Sequence, residues 1–328
     1  MKRLLSVLVV ALLWTSSAPA QSSTQTPAPR PAVFQIPDSV EVRDVDIYSE
    51  GTRMSGQRFA SKANQGKKLP TIIMAQGWGG VAASLRRDAA GFAEKGYLVL
   101  TFDYRGWGTS DSRVILTQKR EPAEHPNGRF TAEVQEVREV VAPLDMVIDW
   151  QNAVAFVVSD PQCDVDRLGL WGSSLSGGLV VSVAARDSRV KAIHSQVPAL
   201  HGHWSMDTPA ERKTTLTETT RRAHGELGYP EPRAKSVGNL IGAPIRFQFA
   251  AWNPIDEIDS LTNCAIQFVT AEKEELLDNK TNGNLAFERK KGAKNFFEVP
   301  AITHYGIYRE AATRAHEMAQ AWFDRYLK

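Results

Sequence analysis

One pattern repeats along the chain from about residue 40 to its end. A short, nearly continuous apolar run is followed by a turn of small or polar residues and then by a stretch with helical spacing. Apolar runs of this kind predict strands covered on both faces, and they lie at 69–75, 97–102, 168–171, 190–197, 265–270 and 295–299. Strands that alternate with helices predict an α/β fold, with a mostly parallel twisted sheet and helices on both faces.

The segments around these strands complete the predicted order of elements. Alternating residues at 40–48 and 54–60 predict a β-hairpin ahead of the parallel strands. Helical spacing predicts further helices at 82–95, at 131–158 with a break at Pro143, from 179 to about 186, at 276–292 and at 310–327. Residues 200–257 show no strand alternation and combine charged, helix-like stretches with proline and two tryptophans.

The run at 168–171 ends in a cluster of small residues, Gly172-Ser173-Ser174-Leu175-Ser176-Gly177-Gly178. A sharp turn from a strand into a helix needs small residues on both sides of its apex, because the two backbones nearly touch there. The apex side chain, which is that of Ser174 in this spacing, is pushed off the end of the sheet. Ser176 stands where the G-x-S-x-G pattern has its second glycine, and serine is small enough for that place. A plain Gly/Ser-rich loop and a turn with Ser176 at its apex remain alternatives.

A serine hydroxyl is a weak nucleophile unless a base takes its proton and an acid orients the base. Both partners are available beyond later strands. The acidic cluster Glu272-Lys273-Glu274-Glu275 follows the run at 265–270, and Thr303-His304-Tyr305 follows the run at 295–299. The chain order is therefore serine, acid, histidine, with each residue just beyond a predicted strand.

The loop after the run at 97–102 reads Asp103-Tyr104-Arg105-Gly106-Trp107-Gly108-Thr109-Ser110-Asp111. This loop resembles the D-x-R-G-x-G-x-S loop of many α/β-hydrolases, and the Ser174 turn resembles their nucleophile turn. The chain as a whole resembles an α/β-hydrolase from about residue 40 to its end. The Ser-Gly-Gly continuation at 176–178 resembles the dienelactone-hydrolase-like and acetyl-xylan-esterase-like branches most. The resemblance to α/β-hydrolase superfamily serine hydrolases implies the α/β-hydrolase fold.

The same resemblance implies a catalytic triad. Ser174 is the implied nucleophile and His304 the implied base, which stands out among the seven histidines. Glu274 aligns with the acid of the family's G-x-x-D loop, and glutamate offers the same charge on a longer arm. The rivals for the acid are Glu272, Glu275 and Asp278.

Two backbone N–H groups are the implied donors to the oxyanion that forms on the attacked carbonyl. One belongs to Leu175, directly after the nucleophile, and the other to Trp78, in a loop that resembles the His-Gly-x of relatives. Gln76 replaces the usual histidine of that loop, which leaves its local hydrogen bonding open. A plain turn at 77–80 is the alternative reading of the glycines there.

The resemblance also implies that residues 200–257 form a small cap over the active site, since insertions at this place do so in many α/β-hydrolases. Loops on a rigid scaffold often carry specificity. Four tryptophans are therefore candidates for the wall of an apolar or sugar-binding pocket, and packing of the cap against the core is the alternative for them. They are Trp78, Trp107, Trp204 and Trp252.

The composition and net charge of the chain limit the kinds of molecule that it is expected to bind. Apolar residues make up 42% of the 328 residues and charged residues 23%, as is usual in a globular protein with a full core. The formal net charge of +2 leaves no basic surplus for nucleic acid or an anionic membrane. The charge thus argues against nucleic acid, while the resemblance implies a small-molecule ester substrate and no cofactor.

The start of the chain has the organisation of a signal peptide. Met1-Lys2-Arg3 is followed by a largely apolar stretch at 4–14 and by the cleavage pattern Ala18-Pro19-Ala20. We therefore expect a periplasmic or secreted protein with no stable membrane insertion after signal cleavage, and an uncleaved membrane anchor is the alternative. Residues 21–38, rich in Pro, Ser and Thr, are predicted to be a flexible linker ahead of a hydrolase domain at 39–328.

Cys163 and Cys264 suit an oxidising compartment, and the sequence leaves open whether they form a disulfide. They lack the C-x-x-C spacing of a zinc site. His201 and His203 have the spacing of a metal pair or a substrate contact, but no third ligand with suitable spacing accompanies them. His194 falls within a predicted strand and is predicted to be a satisfied core residue. No metal is therefore predicted.

The predicted activity is hydrolysis of a carboxylic ester through an acyl-enzyme. The same triad serves a peptidase of the prolyl-oligopeptidase type, a C–C hydrolase or a thioesterase, so these activities stay open at this point. A non-catalytic binding protein on the same fold is the alternative outside the enzymes. Such proteins usually lose a member of the triad, whereas this chain keeps all three.

Overall fold

The computed structural model describes residues 34–119, 126–234 and 240–328, so the predicted signal peptide and the predicted linker up to residue 33 lie outside the described residues. Its main sheet consists of β1 (Val40–Ser49), β2 (Thr52–Ser61), β3 (Leu69–Ala75), β4 (Leu98–Phe102), β5 (Cys163–Ser173), β6 (Val190–Gln196), β7 (Ala265–Ala271) and β8 (Lys294–Val299). The order across the sheet is β1-β2-β4-β3-β5-β6-β7-β8. β2 is antiparallel to both of its neighbours, and the other pairs are parallel. The predicted hairpin and mostly parallel sheet are confirmed.

Helices cover both faces of this sheet. The helices in the described ranges are α1 (Arg86–Glu94), α2 (Pro143–Val158), α3 (Leu175–Ala184), α4 (Pro209–Ala223), α5 (Arg246–Ala250), α6 (Gly283–Arg289) and α7 (Ala312–Leu327), of which α4 and α5 belong to the segment at 200–257. α1 and α7 pack on one face, where Phe92 and Phe323 meet edge to face with 5.9 Å between their ring centroids. α2 and α3 pack on the other face, in the larger apolar cluster.

β3 shows why the strands read as continuous apolar runs. All seven of its residues are buried. Ile72 and Met74 belong to the cluster with α1 and α7, whereas Ile73 and Ala75 belong to the cluster with α2 and α3. Successive side chains of a strand point to opposite faces, so a strand between two helical layers needs apolar residues at every position. Each buried isoleucine of this kind contributes about 1.5–3 kcal/mol to stability.

The helix predicted at 131–158 is wrong over its first part. The helical residues are Pro143–Val158, and Pro143 is the first of them, a position at which the missing N–H of proline does no harm. In a helix interior the proline ring would clash with the preceding turn. Pairing with distant residues decides the structure ahead of Pro143. The pairs are Val134–Val137 with Arg113–Leu116, antiparallel, and Val140–Val141 with Ala243–Pro244, parallel.

The helix predicted at 276–292 is also shorter than expected. It is confined to α6, and residues 272–282 form turns instead. Side chains take up backbone groups in these turns: Asn279 Nδ2 donates to Ala271 O at 2.8 Å, and Asn282 Nδ2 donates to Asp278 O at 2.8 Å. Asparagine side chains that bond to the backbone compete with helix formation. The turns place the acidic cluster beyond the end of β7.

Cys163 and Cys264 are both free and buried, so the disulfide that the sequence left open is not formed. Cys163 begins β5 and Cys264 directly precedes β7, and β6 lies between these two strands. Strands two places apart are separated by about 9.6 Å, which is too far for a disulfide. Burial raises the pKa of the Cys264 thiol to about 12, so it stays protonated.

The segment at 200–257 leaves the sheet after β6 and returns to it at β7. It contains a 3₁₀ turn at Gly202–Met206 and the helices α4 and α5. Phe249 of α5 is buried in the larger apolar cluster, so this part of the segment packs on the domain. Its function as a cap stays a prediction.

Candidate active site

Ser174 lies at the tip of the turn that joins β5 to α3. Its backbone angles, φ 58° and ψ −124°, lie in a region that residues other than glycine rarely adopt, so the turn is strained. Three hydrogen bonds restrain it. The Ser174 N–H donates to Gln196 O at 2.9 Å, and Ser174 O accepts from the N–H groups of Gly177 at 2.9 Å and Ala199 at 3.0 Å. The end of β6 and the start of α3 therefore hold the strained residue in place.

The two backbones of the turn nearly touch, as the small residues predicted. A Cβ on Gly172 would lie 2.3 Å from Ser176 O, across the turn, and a Cβ on Gly178 would lie 2.0 Å from Ala199 O, in the segment that follows β6. Ser176 is fully buried inside α3, where its hydroxyl accepts a hydrogen bond from the Tyr104 hydroxyl at 3.2 Å. The structure thus places Ser174, and not Ser176, at the apex.

His304 begins a 3₁₀ turn beyond β8, and its ring contacts Ser174 directly. Nε2 lies 3.0 Å from Ser174 Oγ, and Nδ1 lies 2.9 Å from each carboxylate oxygen of Glu274. The side chains of His304 and Glu274 are each 3% exposed. A carboxylate only accepts hydrogen bonds, so Nδ1 of the neutral ring carries the proton and Nε2 is left to accept the Ser174 hydroxyl.

The four candidate acids have different partners. Glu274 contacts the ring of His304, and its Oε1 also accepts from the N–H of Leu276 at 3.0 Å. Glu275 Oε2 accepts the backbone N–H of His304 at 2.6 Å. The other two bind elsewhere: Glu272 Oε2 accepts from Ala301 N–H, and Asp278 Oδ1 accepts from Lys280 N–H in its own turn. Among the candidates, Glu274 is the one placed against Nδ1.

The opposite side of Ser174 is formed by residues 76–80, which follow β3. A Cβ on Gly77 would lie 2.9 Å from Ser174 Cβ and 3.1 Å from the backbone nitrogen of Leu175. Leu175 is the first residue of α3, so its N–H has no acceptor within the helix. This contact brings the Gly77–Trp78 peptide beside Ser174, where the sequence predicted the second donor.

Side chains fix this loop from two directions. The amide of Gln76 donates to Ser84 Oγ at 2.8 Å. The indole N–H of Trp78 donates to Gly242 O at 2.9 Å, and its ring stacks on Phe249 with 5.6 Å between centroids. The loop is therefore attached both to the short turn that directly precedes α1 and to the segment at 200–257.

A cleft of about 420 Å³ opens over Ser174 and His304. Its volume is within the range of small-molecule sites. Aromatic rings and polar groups share the walls, and they include Trp78, Trp171, Tyr305, Tyr308, Gln76 and Asp88. Burial raises the pKa of Tyr305, and the nearby charges of Glu275 and Glu274 add to the effect, so this phenol stays neutral.

The four tryptophans divide between the two roles considered for them. Trp78 lines the cleft. Trp107 and Trp252 are buried, and their indole N–H groups bond to Val140 O and Ser182 Oγ inside the domain. Trp204 packs on the ring of Phe249 with 5.2 Å between centroids. For these three, packing is the role that the structure shows.

A series of hydrogen-bonded polar side chains runs from Tyr308, which is partly exposed in the cleft wall, to buried residues beneath the site, and the sequence did not reveal it. The Tyr308 hydroxyl lies 2.6 Å from Ser173 Oγ, which also accepts from Gln196 Nε2 at 3.0 Å. Gln196 Oε1 lies 3.2 Å from His194 Nε2, and His194 Nδ1 lies 2.7 Å from the Gln267 amide. Burial lowers the pKa of His194 to about 4, so the ring is neutral at pH 7. The prediction of a satisfied core histidine is confirmed.

The sequence does contain a pattern that indicates these hydrogen-bonded polar side chains. His194 and Gln196 lie two residues apart in the predicted strand at 190–197, and Gln267 lies in the next predicted strand. Residues two apart in a strand point to the same face. Polar residues that share a face in buried strands indicate a buried network, because such groups need partners.

Within the described ranges, no group of three or more His, Cys, Asp or Glu side chains is arranged to hold a metal ion. His201 Nε2 lies 2.8 Å from Asp207 Oδ2, and the rings of His201 and His203 are 6.5 Å apart. Across the same ranges, no helix combines the length and apolar character that a membrane span requires.

The sheet order, with its single antiparallel strand, and the serine on a strained strand-to-helix turn define an α/β-hydrolase. A family model described as acetyl xylan esterase (AXE1) matches residues 30–221, more than half of the chain. The chain belongs to this acetyl xylan esterase family, and it is a carboxylic ester hydrolase. The match includes Trp78 and Ser174 but ends before Glu274 and His304.

Known proteins are similar to this chain in sequence and in fold. A 31.7 kDa protein from the traX–finO intergenic region of Escherichia coli is 35% identical over 288 residues, which cover 79% of this chain and 92% of that protein. The thiohydrolase aneE of Aspergillus aculeatus is 28% identical over 313 residues, covering 84% of this chain and 89% of that protein. The crystal structure of the α/β-hydrolase GrgF from Penicillium sp. sh18 superimposes with a TM-score of 0.66 at 19% identity, covering 88% and 99% of the two chains. The predicted fold and family resemblance are confirmed.

Proposed function

We propose that the chain is an exported serine esterase that cleaves carboxylic esters through an acyl-enzyme. The observation that carries the proposal is the unbroken hydrogen-bonded series of Ser174, His304 and Glu274, with 3.0 Å and 2.9 Å between the atoms involved. Ser174 Oγ attacks the ester carbonyl while His304 Nε2 takes its proton. Glu274 fixes the ring in the tautomer that leaves Nε2 unprotonated, and its charge stabilises the imidazolium that forms.

The rest of the cycle uses the same side chains and water. The imidazolium of His304 gives its proton to the leaving alcohol as the tetrahedral intermediate collapses, which leaves the acyl group on Ser174. A water molecule then attacks the acyl carbon while His304 takes one of its protons. Collapse of the second intermediate releases the carboxylic acid and returns the proton to Ser174.

The oxyanion of both intermediates is assigned to the backbone N–H groups of Leu175 and Trp78. Support comes from the place of Leu175 at the start of α3 and from the contact of Gly77 with the Ser174 turn. The N-terminus of a helix also favours negative charge. Removing one such donor typically costs about 10²–10³ in kcat.

Export is proposed from the charged start, the apolar stretch at 4–14 and the pattern Ala18-Pro19-Ala20. The full-length chain, expressed in a Gram-negative host, is expected in the periplasmic fraction with Gln21 as its first residue. N-terminal sequencing of the mature protein checks this. Recovery of the intact N-terminus in the membrane fraction would support the uncleaved anchor instead.

The test of the esterase proposal is Ser174→Ala. We expect loss of p-nitrophenyl acetate turnover to the level of the buffer and loss of labelling by a fluorophosphonate, with an unchanged circular dichroism spectrum. Ser176→Ala is the matched control, because Ser176 lies two residues away but inside α3. Its labelling is expected to persist. Turnover retained by Ser174→Ala would overturn the proposal.

Thioester hydrolysis is a second candidate, favoured by the similarity to the thiohydrolase aneE over 84% of the chain. The same triad serves both reactions. Phenyl acetate and S-phenyl thioacetate form a matched pair for the comparison of kcat/KM. A preference for the thioester by tenfold or more, about 1.4 kcal/mol, would assign the second candidate. The corresponding anilide tests the peptidase alternative.

A further inference from the structure

Three carboxylates of one short loop bind the segment that bears His304. We call residues 272–275 the acid loop and residues 299–304 the histidine segment. Glu272 Oε2 accepts the N–H of Ala301 at 2.5 Å, and Glu275 Oε2 accepts the N–H of His304 at 2.6 Å. Glu274 lies between them in the sequence, and its carboxylate accepts a hydrogen bond from the ring of His304. Consecutive carboxylates therefore hold the ring and the backbone of the same residue.

The backbone of the two stretches is joined as well. The Glu272 N–H donates to Val299 O at 3.0 Å, and the Lys273 N–H donates to Ile302 O at 2.9 Å. These bonds continue the parallel pairing of β7 with β8 past the end of β7. The acid loop and the histidine segment thus form one connected unit, and a shift of either moves the other.

The histidine segment needs an external partner at His304. The 3₁₀ turn at His304–Tyr308 begins there, and Thr303 before it supplies no side-chain hydrogen bond to the turn. The first N–H groups of a helical turn have no acceptor within it. Ala301 has a positive φ of 63°, which is costly for a residue other than glycine and persists only under restraint. Glu275, in the neighbouring acid loop, supplies the missing acceptor.

We propose that Glu275 is a positioning residue of the Ser174 site. Its carboxylate fixes the backbone of His304, so that Nε2 stays within hydrogen-bond distance of Ser174 Oγ while Glu274 holds Nδ1. Hydrogen bonds from a backbone N–H to a carboxylate are short and roughly twice as strong as neutral ones. This inference rests on the proposed function, because positioning matters only if His304 is the base.

The test compares Glu275→Ala with Glu275→Gln. The alanine variant removes the acceptor, and a misplacement of about 1 Å in an active site can cost about 10²-fold in rate. We expect kcat per active site to fall by about 10- to 100-fold with KM changed less than about twofold. The glutamine variant keeps an acceptor at the same reach, and we expect it to recover kcat to within about fivefold of the wild type. Phosphonate titration counts the active sites.

Glu272→Ala is the matched comparison. Glu272 belongs to the same loop, is exposed as Glu275 is, and also accepts a backbone N–H, but that N–H lies three residues before His304. We expect its kcat to fall less than about threefold. Should Glu275→Ala fail to fold, Glu275→Asp replaces it, because aspartate withdraws the carboxylate by one methylene. We expect about a tenfold loss of kcat for that variant.

The failure of this inference and that of the proposed function have different signatures. Wild-type protein that neither turns over esters nor is labelled at Ser174 would overturn both. Normal wild-type turnover with an unchanged kcat per titrated site in Glu275→Ala would overturn the role of Glu275 alone. Equal losses in Glu275→Ala and Glu272→Ala would also overturn it, because they would show a general effect of loop charge.

Discussion

The two sides of Ser174 are held in place by different forces. On the side of His304, the contacts are directional hydrogen bonds to carboxylates, with Glu274 on the ring and Glu275 on the backbone. On the side of residues 76–80, the contacts are the close approach of Gly77 to the turn and the stacking of Trp78 on Phe249. The hydrogen bonds of this side, from Gln76 to Ser84 and from Trp78 to Gly242, join neutral groups. Hydrogen bonds depend steeply on angle and distance, whereas stacked rings tolerate small shifts.

This difference indicates how each side responds to change. A side held by charged hydrogen bonds loses its geometry when one acceptor is removed, because the partner left behind has no replacement. A side held by packing keeps its geometry as long as shape and volume are conserved. The His304 side is thus expected to be sensitive to the loss of a single hydrogen-bond acceptor, and the Trp78 side to changes in side-chain volume.

The largest effect in this comparison is expected for Glu274→Gln. Glutamine fills nearly the same space, but its amide cannot hold Nδ1–H as a carboxylate does, so the wrong tautomer of His304 gains population. We expect kcat to fall by about 10³- to 10⁴-fold, with little change in the circular dichroism spectrum. Steady-state kinetics with p-nitrophenyl acetate measure the loss.

Asp278→Asn is the control for that variant. Asp278 was a rival for the acid, and it accepts from Lys280 N–H in its own turn. We expect less than about a twofold change in kcat, since a substitution away from the site usually changes little. A large loss of kcat for Asp278→Asn together with a small loss for Glu274→Gln would show that Glu274 is not the acid of the triad.

The second effect concerns pH and the polar chain beneath the His304 side. The pKa of His194 is lowered by burial to about 4 in the folded protein, against 6.5 when exposed. Between these values the unfolded chain binds a proton that the folded protein does not, so stability falls as pH falls. His194 alone is expected to cost about 2 kcal/mol between pH 7 and pH 5. Urea unfolding at the two pH values measures the cost.

His194→Gln isolates this contribution. The variant has no titrating group at the position, so its own loss of stability between pH 7 and pH 5 should be smaller than that of the wild type by about 2 kcal/mol. The variant starts from a lower stability at pH 7, because glutamine does not reproduce both hydrogen bonds of the ring. Equal losses in the two proteins would show that His194 does not govern this pH range.

The smallest effect is expected on the other side, for Trp78→Phe. The ring that stacks on Phe249 is kept, while the bond from the indole N–H to Gly242 O is lost. We expect a decrease of about 1 kcal/mol in the free energy of unfolding and less than about fivefold in kcat. The decrease should be the same at pH 7 and pH 5. A kcat loss as large as that of Glu274→Gln would contradict the contrast between the two sides.

Features that depend on local constraints were predictable from the sequence. Strands such as β3 need apolar residues at every position wherever they lie in the sheet, so their runs were visible without knowledge of their neighbours. The turn at Ser174 needs small residues because of its own geometry, and Gly172 and Gly178 show how little space it leaves. The order of serine, acid and histidine along the chain followed from the strands.

Features that depend on partners far along the chain were not predictable. Residues ahead of Pro143 have helical spacing, but pairing with 113–116 and 243–244 makes them strands. The sequence could not show which group each of the three acid-loop carboxylates binds. Their hydrogen bonds to residues 301–304 depend on how β7 and β8 pair. Tyr308 was missed for the same reason, because its partner Ser173 lies on β5.

The place of β8 in the sheet has a consequence for how the protein loses function. β8 is the last strand and pairs only with β7, whereas β5, which ends directly before Ser174, lies in the middle of the sheet. Edge elements open locally at a lower free energy than the core. Opening of β8 carries His304 away from Ser174 while the central strands remain folded. Inactivation by mild heat or denaturant is therefore expected to precede global unfolding, and to reverse when the edge closes again.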